Sequence, residues 1–391
     1  MGSKNSNKNC VKQLEIMAYY FPQYHRDPRN DRMHGAGWTE WDLLRTAKPR
    51  YSGHAQPKTP AWGEFDESDP EWSAREIDLA ADHGLTGFIY DWYWYDNQPF
   101  LNGALERGFL KSANRTRLKF ALMWANHDWV NLFPATPDGE RPLLLAGATQ
   151  RASFDCLVEY LLEHYLHQDN YFKVQGAPYF SIYDLGTFIK GMGGLEAARE
   201  ALEHFRARVK AAGFPDLHLN AVVWGIKVLP SEIKLESPEE VIRSLGFSSL
   251  TSYVWVHHYA PDTAGFPQGS YQEAAQHNYA VWEDYGPRFE LPYHPNVSMG
   301  WDSSPRTQQD APYAKHGYPW SAVLEGNTPE AFGKALEQAK AFIERSSMED
   351  PVLTLNAWNE WTEGSYLLPD TVHGNAYLEQ IRRVFALESS T

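Results

Sequence analysis

The 391-residue chain has little cysteine, a shortage of positive charge and no long apolar run. Cys10 and Cys156 are its two cysteines, too few for a disulfide framework and without metal-ligand spacing, so they leave the redox compartment open. No stretch of 18 apolar residues occurs, which argues against a helical membrane span. Lysine and arginine number 35 against 50 aspartates and glutamates, a formal net charge of −15. Nucleic acid, polyphosphate and anionic membranes are recognised by clustered cations, so none of them is expected as a main partner. Two catalytic signatures are missing too. There is no G-x-G-x-x-G turn of a dinucleotide-binding sheet and no G-x-S-x-G elbow for a serine nucleophile. The first nine residues, MGSKNSNKN, are polar and lack the apolar core of a secretory leader, which leaves the cytoplasm as the default compartment. Residues 1–13 read as a disordered or tag-like tail, although Gly2 and Ser6 also fit the M-G-x-x-x-[ST] acylation pattern.

Aromatic residues, by contrast, are abundant: 15 Trp, 22 Tyr and 19 Phe. A core alone has little need for so much tryptophan, because a buried indole N–H requires a partner. Flat apolar side chains also serve as platforms for sugar rings.

Eight short apolar runs rich in β-branched and aromatic residues read as strands: 14–20, 86–92, 118–124, 178–184, 217–224, 249–255, 294–301 and 352–358. Between them, helices are expected over 70–84, 152–167, 194–212 and 328–345, with shorter or weaker ones over 238–245, 271–285 and 375–386. Near-continuous apolar strands alternating with helices indicate a parallel sheet covered on both faces. Eight such units close most economically as a (β/α)8 TIM barrel, here a single catalytic barrel over residues 14–388. The connection from Tyr20 to Pro70 shows little periodicity and is too long for a featureless loop. Long loops of this kind belong on the C-terminal face of the barrel, where barrel enzymes build their sites.

Most tryptophans lie at strand ends or in the loops that follow, with Trp72 and Trp282 alone in helical stretches, and this bias suggests an aromatic-walled cleft. Candidate sugar-contacting residues follow from position along the strands. They are His25, Glu40 and Trp41 after the first, Asp91 and Trp92 at the second, and Trp124, Asn126, His127, Asp128 and Trp129 at the third. Trp255 and His257 lie at the sixth, Trp301, Asp302 and Arg306 at the seventh, and Asn359 and Trp361 at the eighth. No metal or cofactor is expected: the adjacent His257 and His258 would point to opposite faces of a strand and could not easily share an ion.

The most informative motif is NAWNEWTEG, residues 356–364, where Glu360 and Glu363 stand three apart at the end of the eighth strand. Glu-x-x-Glu alone is a common pattern of solvated helices. At the top of a barrel strand, between Trp358 and Trp361, it matches the two carboxyls that glycoside hydrolysis requires. Mutual repulsion and an apolar setting would raise the proton affinity of one of them.

YYFPQYH (19–25), GWTEW (37–41), GFIYDWYWY (87–95), MWANHDW (123–129), WDSSPR (301–306) and NAWNEWTEGSYLLPD (356–370) together resemble the WbsX-like proteins, which are related to glycoside hydrolase family 99. The resemblance implies a (β/α)8 barrel acting on α-linked, mannose-like glycans, with retention of configuration. It implies that Glu360 takes the proton of the substrate's own 2-hydroxyl, which attacks the anomeric carbon. Glu363 would then be the acid for the leaving oxygen and afterwards the base for water. Two positions depart from the pattern, His127 where relatives carry Glu and Leu368 in YLLPD, and both bear on substrate identity. Two alternatives stay open: a glycosyltransferase of polysaccharide assembly, and a non-catalytic carbohydrate-binding barrel.

Overall fold

The structure, a computed structural model, describes residues 14–137, 139–346 and 348–386. The tail, with Gly2, Ser6 and Cys10, lies outside the described residues.

The eight expected strands form the barrel: β1 (Glu15–Tyr20), β2 (Gly87–Tyr95), β3 (Lys119–Trp124), β4 (Ala177–Ile182), β5 (His218–Val222), β6 (Ser249–Thr251), a divided β7 (Tyr293–His294 and Asn296–Ser298) and β8 (Val352–Asn356). All neighbours pair in parallel, with β1 between β8 and β2. Pro295 splits β7. Having no N–H, it cannot continue a ladder; its carbonyl accepts from Thr354 N at 3.0 Å. Tyr293–His294 pair with β6, and Asn296–Ser298 pair with β8. The sheet therefore closes through the chain itself, as a (β/α)8 barrel.

Helices α1 (Pro28–His34), α2 (Trp41–Thr46) and α3 (Pro70–Asp82) follow β1. The helix α4 (Arg151–Leu161) follows β3, and α5 (Leu185–Met192) and α6 (Leu195–Ala211) follow β4. The remaining helices are α7 (Pro238–Leu245), α8 (Tyr271–Phe289), α9 (Pro329–Ser346) and α10 (Ala376–Phe385). The start of α3 shows why the chain turns helical there: Asp69 caps Glu71 N at 2.9 Å and Pro70 fits the first turn.

Three expectations about local structure change. The long first connection contains α1 and α2, too short to show a period. The seventh strand, expected over 294–301, is the divided β7 and ends at Ser298. The sixth strand ends at Thr251, because the chain leaves the sheet for a turn at Trp255–His257.

Strand parity decides what faces where. Outward residues pack beneath helices, as Phe180 does on Phe205 of α6, with ring centres 5.5 Å apart. Several inward residues are polar and bond to one another: Ser181 donates to Asn220 at 2.9 Å, Asn220 to Ser249 at 2.9 Å, and Asn296 to Thr354 at 3.1 Å. Each pairing offsets the cost of burying a polar group inside the barrel.

Candidate active site

Glu360 and Glu363 lie just beyond β8, in a tight hairpin where Asn359–Glu360 pair with Ser365–Tyr366 around a single turn at Trp361–Glu363. Gly364 makes the turn possible. It adopts φ 64°, and a Cβ there would stand 2.7 Å from the Cβ of Asp302. Asp302 N–H donates to Glu363 O at 2.5 Å, fastening the hairpin to the end of β7. On the other side, the Asn359 side chain accepts from Phe21 N at 2.7 Å and donates to Phe21 O at 2.8 Å.

Arg306, on the short turn after β7, is the cation at the centre of the cluster. Its Nη1 donates to Glu363 Oε1 and, at 2.5 Å, to the Tyr318 hydroxyl, which itself donates to Glu363 Oε1 at 2.7 Å. Its Nη2 donates to both oxygens of Glu40 at 3.2 Å and lies 3.7 Å from Glu360 Oε1. The guanidinium sits over the rings of Phe21 and Phe133, 5.2 and 5.5 Å from their centres. Glu40 also accepts from Thr362 Oγ1. Burial raises the Glu40 carboxyl, and Arg306 and Thr362 oppose that effect. Burial and the charges of Glu363 and Asp91 push Glu360 well above the carboxylate range, with Arg306 working the other way.

These groups open on a pocket of about 730 Å³ at the C-terminal end of the barrel. Of the candidates, it is lined by Asp91, His127, Asp128, Trp129, His257, Trp301, Arg306, Glu360 and Glu363. Burial holds the His127 imidazole below its ordinary value. His257 pairs with Glu232 at 3.2 Å, and Tyr183 donates to the same oxygen at 2.5 Å. Glu232 also accepts from Val228 N and Leu229 N, fixing an apolar lip, residues 228–231, over the pocket.

Other candidates lie elsewhere, and strand parity accounts for several of them. Trp92 and Trp124 point outward, Trp92 donating to the Tyr165 hydroxyl at 3.2 Å and Trp124 packing on Phe154 and Phe188. Trp255 donates to Asn296 O, while Trp361 stacks on Tyr366 with 3.8 Å between ring centres. Trp41 packs on Tyr24 and Phe65. His25 bonds Glu67 at 2.7 Å; burial lowers its imidazole to about 4 and raises the Glu67 carboxyl. Asn126 exchanges two hydrogen bonds with the backbone of Asp184. Asp302 faces away from the pocket and bonds His54 at 2.9 Å and Gln56 at 2.6 Å. Burial opposes its charge, yet His54 holds its carboxyl at about 2. Glu40 and Asn359 touch the cluster or its supports without lining the pocket.

The aromatic cleft exists, but tryptophan is not its main material. Trp129 and Trp301 share the walls with Phe21, Tyr93, Phe133, Tyr183, Tyr253 and Tyr318. Parity could have found Tyr93, two residues beyond Asp91 on the same strand face. Tyr318 and the lip at 228–231 come from irregular loops with no period to read. His257 and His258 stand in a turn rather than a strand and still diverge, His258 bonding Ser252 Oγ at 2.6 Å. Among the described residues no three His, Cys, Asp or Glu side chains gather to hold a metal ion, and no helix is long and apolar enough to cross a membrane.

The fold and the carboxyl-lined pocket define a (β/α)8 barrel with its candidate site at the C-terminal ends of the strands. The chain belongs to the WbsX family, described as "Glycosyltransferase WbsX", whose model matches residues 16–381. It is 25% identical over 379 residues to the uncharacterized protein WxcX of Xanthomonas campestris pv. campestris, in two strains, across 94% of this chain and 49% of WxcX. The chain thus spans about half the length of the curated relatives it matches. Among solved structures it is similar to the GH99 endo-alpha-mannosidase from Bacteroides thetaiotaomicron, with TM-score 0.56 and 14% identity over 94% of this chain and 96% of that one. A glycoside hydrolase-like protein gives TM-score 0.60 at 12% identity, covering 96% and 95%. At these identities the likeness speaks for the barrel alone.

Proposed function

We propose that residues 14–388 form one catalytic unit that hydrolyses an α-linked, mannose-like glycan with retention, using the substrate's own 2-hydroxyl as nucleophile. The observation that carries this reading is the placement of Glu360 and Glu363 on one guanidinium, in an aromatic pocket at the end of β8. Glu360 is the base for the 2-hydroxyl. Its Oε2 accepts from Tyr253 at 3.0 Å and its Oε1 faces Arg306. Glu363 is the acid. Both of its hydrogen bonds fall on Oε1, leaving Oε2 without a partner among the described residues and free to carry a proton to the leaving oxygen. Arg306 does not need Glu363 as its only counter-ion, because Glu40 meets it with both oxygens. Pocket aromatics then stack on the sugar faces, and His127 and Asp128 are placed to bond hydroxyls. The mannose-like substrate and the order of roles follow from the resemblance of the NAWNEWTEG motif to family 99, in which the structural neighbour is named an endo-alpha-mannosidase.

The test is turnover of an aryl α-mannoside with a good leaving group by Glu360→Gln and Glu363→Gln, with NMR of the first-formed anomer. Both variants should lose activity, with the wild type releasing the α-anomer first. Wild-type turnover in both variants, or release of the β-anomer, would sink the proposal. The family's description favours a second reading, glycosyl transfer. Against it, Arg306 is, among the described residues, the one Arg or Lys lining the pocket, and it is already engaged by Glu40 and Glu363. Micromolar calorimetric binding of a sugar nucleotide would favour transfer.

A further inference from the structure

The Tyr253 hydroxyl stands between two carboxyls, 2.8 Å from Asp91 Oδ2 and 3.0 Å from Glu360 Oε2. A phenol has one proton to donate. Both contacts are hydrogen bonds only if a second proton sits on one of the carboxyls, which then donates to the phenol oxygen. The surroundings say which carboxyl carries it. Asp91 is 4% exposed and, among the described residues, takes part in no ion pair and has no partner for its buried Oδ1. An ionised carboxylate left this way would bear the full penalty of desolvation. Glu360 has the Arg306 guanidinium 3.7 Å from its other oxygen.

We propose that Asp91 is a neutral carboxylic acid that donates to Tyr253, which in turn donates to Glu360, and that this chain keeps Glu360 ionised. Asp91 is on this view a positioning residue, acting through Tyr253, rather than a sugar ligand. The proposal rests on the reading of Glu360 as a base. In the reaction, Glu360 receives the 2-hydroxyl proton on a carboxylate already polarised by the chain, and Asp91 keeps its own proton throughout.

The groups that face the chain are few. Arg306 and Glu363 face Glu360, with Glu40 and Tyr318 behind the guanidinium. Tyr19, Tyr183 and His257 pack around the Tyr253 ring, and His257 is occupied by Glu232. Tyr93 lines the pocket beside Asp91. Burial and the nearby acids push both Asp91 and Glu360 above the ordinary carboxylate range, in keeping with a proton held by the pair.

The substitution Asp91→Asn separates the alternatives, because an amide reproduces a neutral, donating Asp91. The proposal expects turnover within about tenfold of wild type and an unmoved acid limb of the pH profile. Asp91→Ala, which removes the donor, should cost about a hundredfold and move the acid limb to higher pH. Were Asp91 ionised, Asp91→Asn would remove a negative charge beside Glu360 and move the acid limb to lower pH, which overturns the proposal. Infrared difference spectra at neutral pH supply a readout independent of turnover. The wild-type minus Asp91→Asn difference should contain one carbonyl stretch of a protonated carboxylic acid, over and above the bands that Glu67 and Glu76 contribute to both proteins. If that band is missing from the difference, or is lost in Glu360→Gln and kept in Asp91→Asn, the proton is not on Asp91. The band would persist if the protein proved not to be a hydrolase, so the two readings fail separately.

Discussion

Two groups of buried carboxyls occupy the same end of the barrel and differ in what surrounds them. Glu360, Glu363 and Glu40 gather about one guanidinium, Asp91 joins them through Tyr253, and Asp91, Glu360 and Glu363 line the pocket. Glu67 and Glu76 lie behind the wall, on and before α3. Glu67 accepts from Tyr24 N at 2.7 Å, from His25 and from Asn359 at 3.3 Å. Glu76 accepts from the Tyr20 hydroxyl at 3.0 Å and Trp358 Nε1 at 3.1 Å. Burial raises the proton affinity of Glu76 to about 8 and pushes Glu67 well up, much as it does Asp91 and Glu360. A perturbed carboxyl is therefore not by itself a sign of chemistry. What separates the groups is a shared cation and an opening to the pocket. The sealed pair supports the other: Glu67 holds Asn359, which in turn holds Phe21 against Arg306.

The sharpest division between the two groups is expected in turnover. Glu363→Gln should lower kcat/KM by about a thousandfold, within the range of general acid–base catalysis, and leave the thermal midpoint nearly in place. A loss of stability as large as the loss of rate would place Glu363 with the sealed pair. Arg306→Met comes next. It strands Glu40 as a buried charge, so urea unfolding should show about 3–5 kcal/mol of destabilisation along with weakened turnover. Arg306→Met with Glu40→Gln should recover part of the stability and none of the rate.

The smallest effect on rate is expected from Glu76→Gln, within about twofold in steady-state assays. Its signature lies in stability instead. Between the ordinary carboxylate value of 4.5 and about 8, the folded protein keeps a proton that the unfolded chain has released. Stability from this group is full below 4.5 and declines as pH rises through 8, by at most about 1.4 kcal/mol per pH unit. Glu76→Gln should flatten that slope in denaturant titrations across the window. An unchanged slope would show that Glu76 is ionised in the fold.

The barrel was legible in the sequence because each strand carries a dense apolar run and the longer helices carry caps and a period. Asp69–Pro70 marked the start of α3 to the residue. Glu360, Glu363 and Arg306 were singled out by their position just after strands and Asp91 by its place at the end of the expected second strand, and all four line the pocket. Tryptophan misled because a strand end offers two faces. Trp92 and Trp124 alternate with Asp91 and Met123, and those alternates face the pocket while the indoles face helices. Tyr318 and the lip at 228–231 are held by bonds to Arg306 and Glu232 made across long stretches of chain or irregular loop, and no local pattern encodes such contacts.

The break at Pro295 gives the barrel a seam. Backbone pairing with β6 stops at His294, and above it the gap between β6 and β7 is bridged by Trp255, whose N–H meets Ser298 Oγ at 2.9 Å and whose indole meets Asn296 O at 2.8 Å. Tyr253 stands on one side of this seam, and Arg306, Glu360 and Glu363 on the other. Elsewhere the cylinder is laced by peptide groups that every sequence possesses. Here the lacing is done by an indole and a hydroxyl, so a single codon change can loosen or retune the spacing between the two halves of the pocket without undoing the rest of the weave.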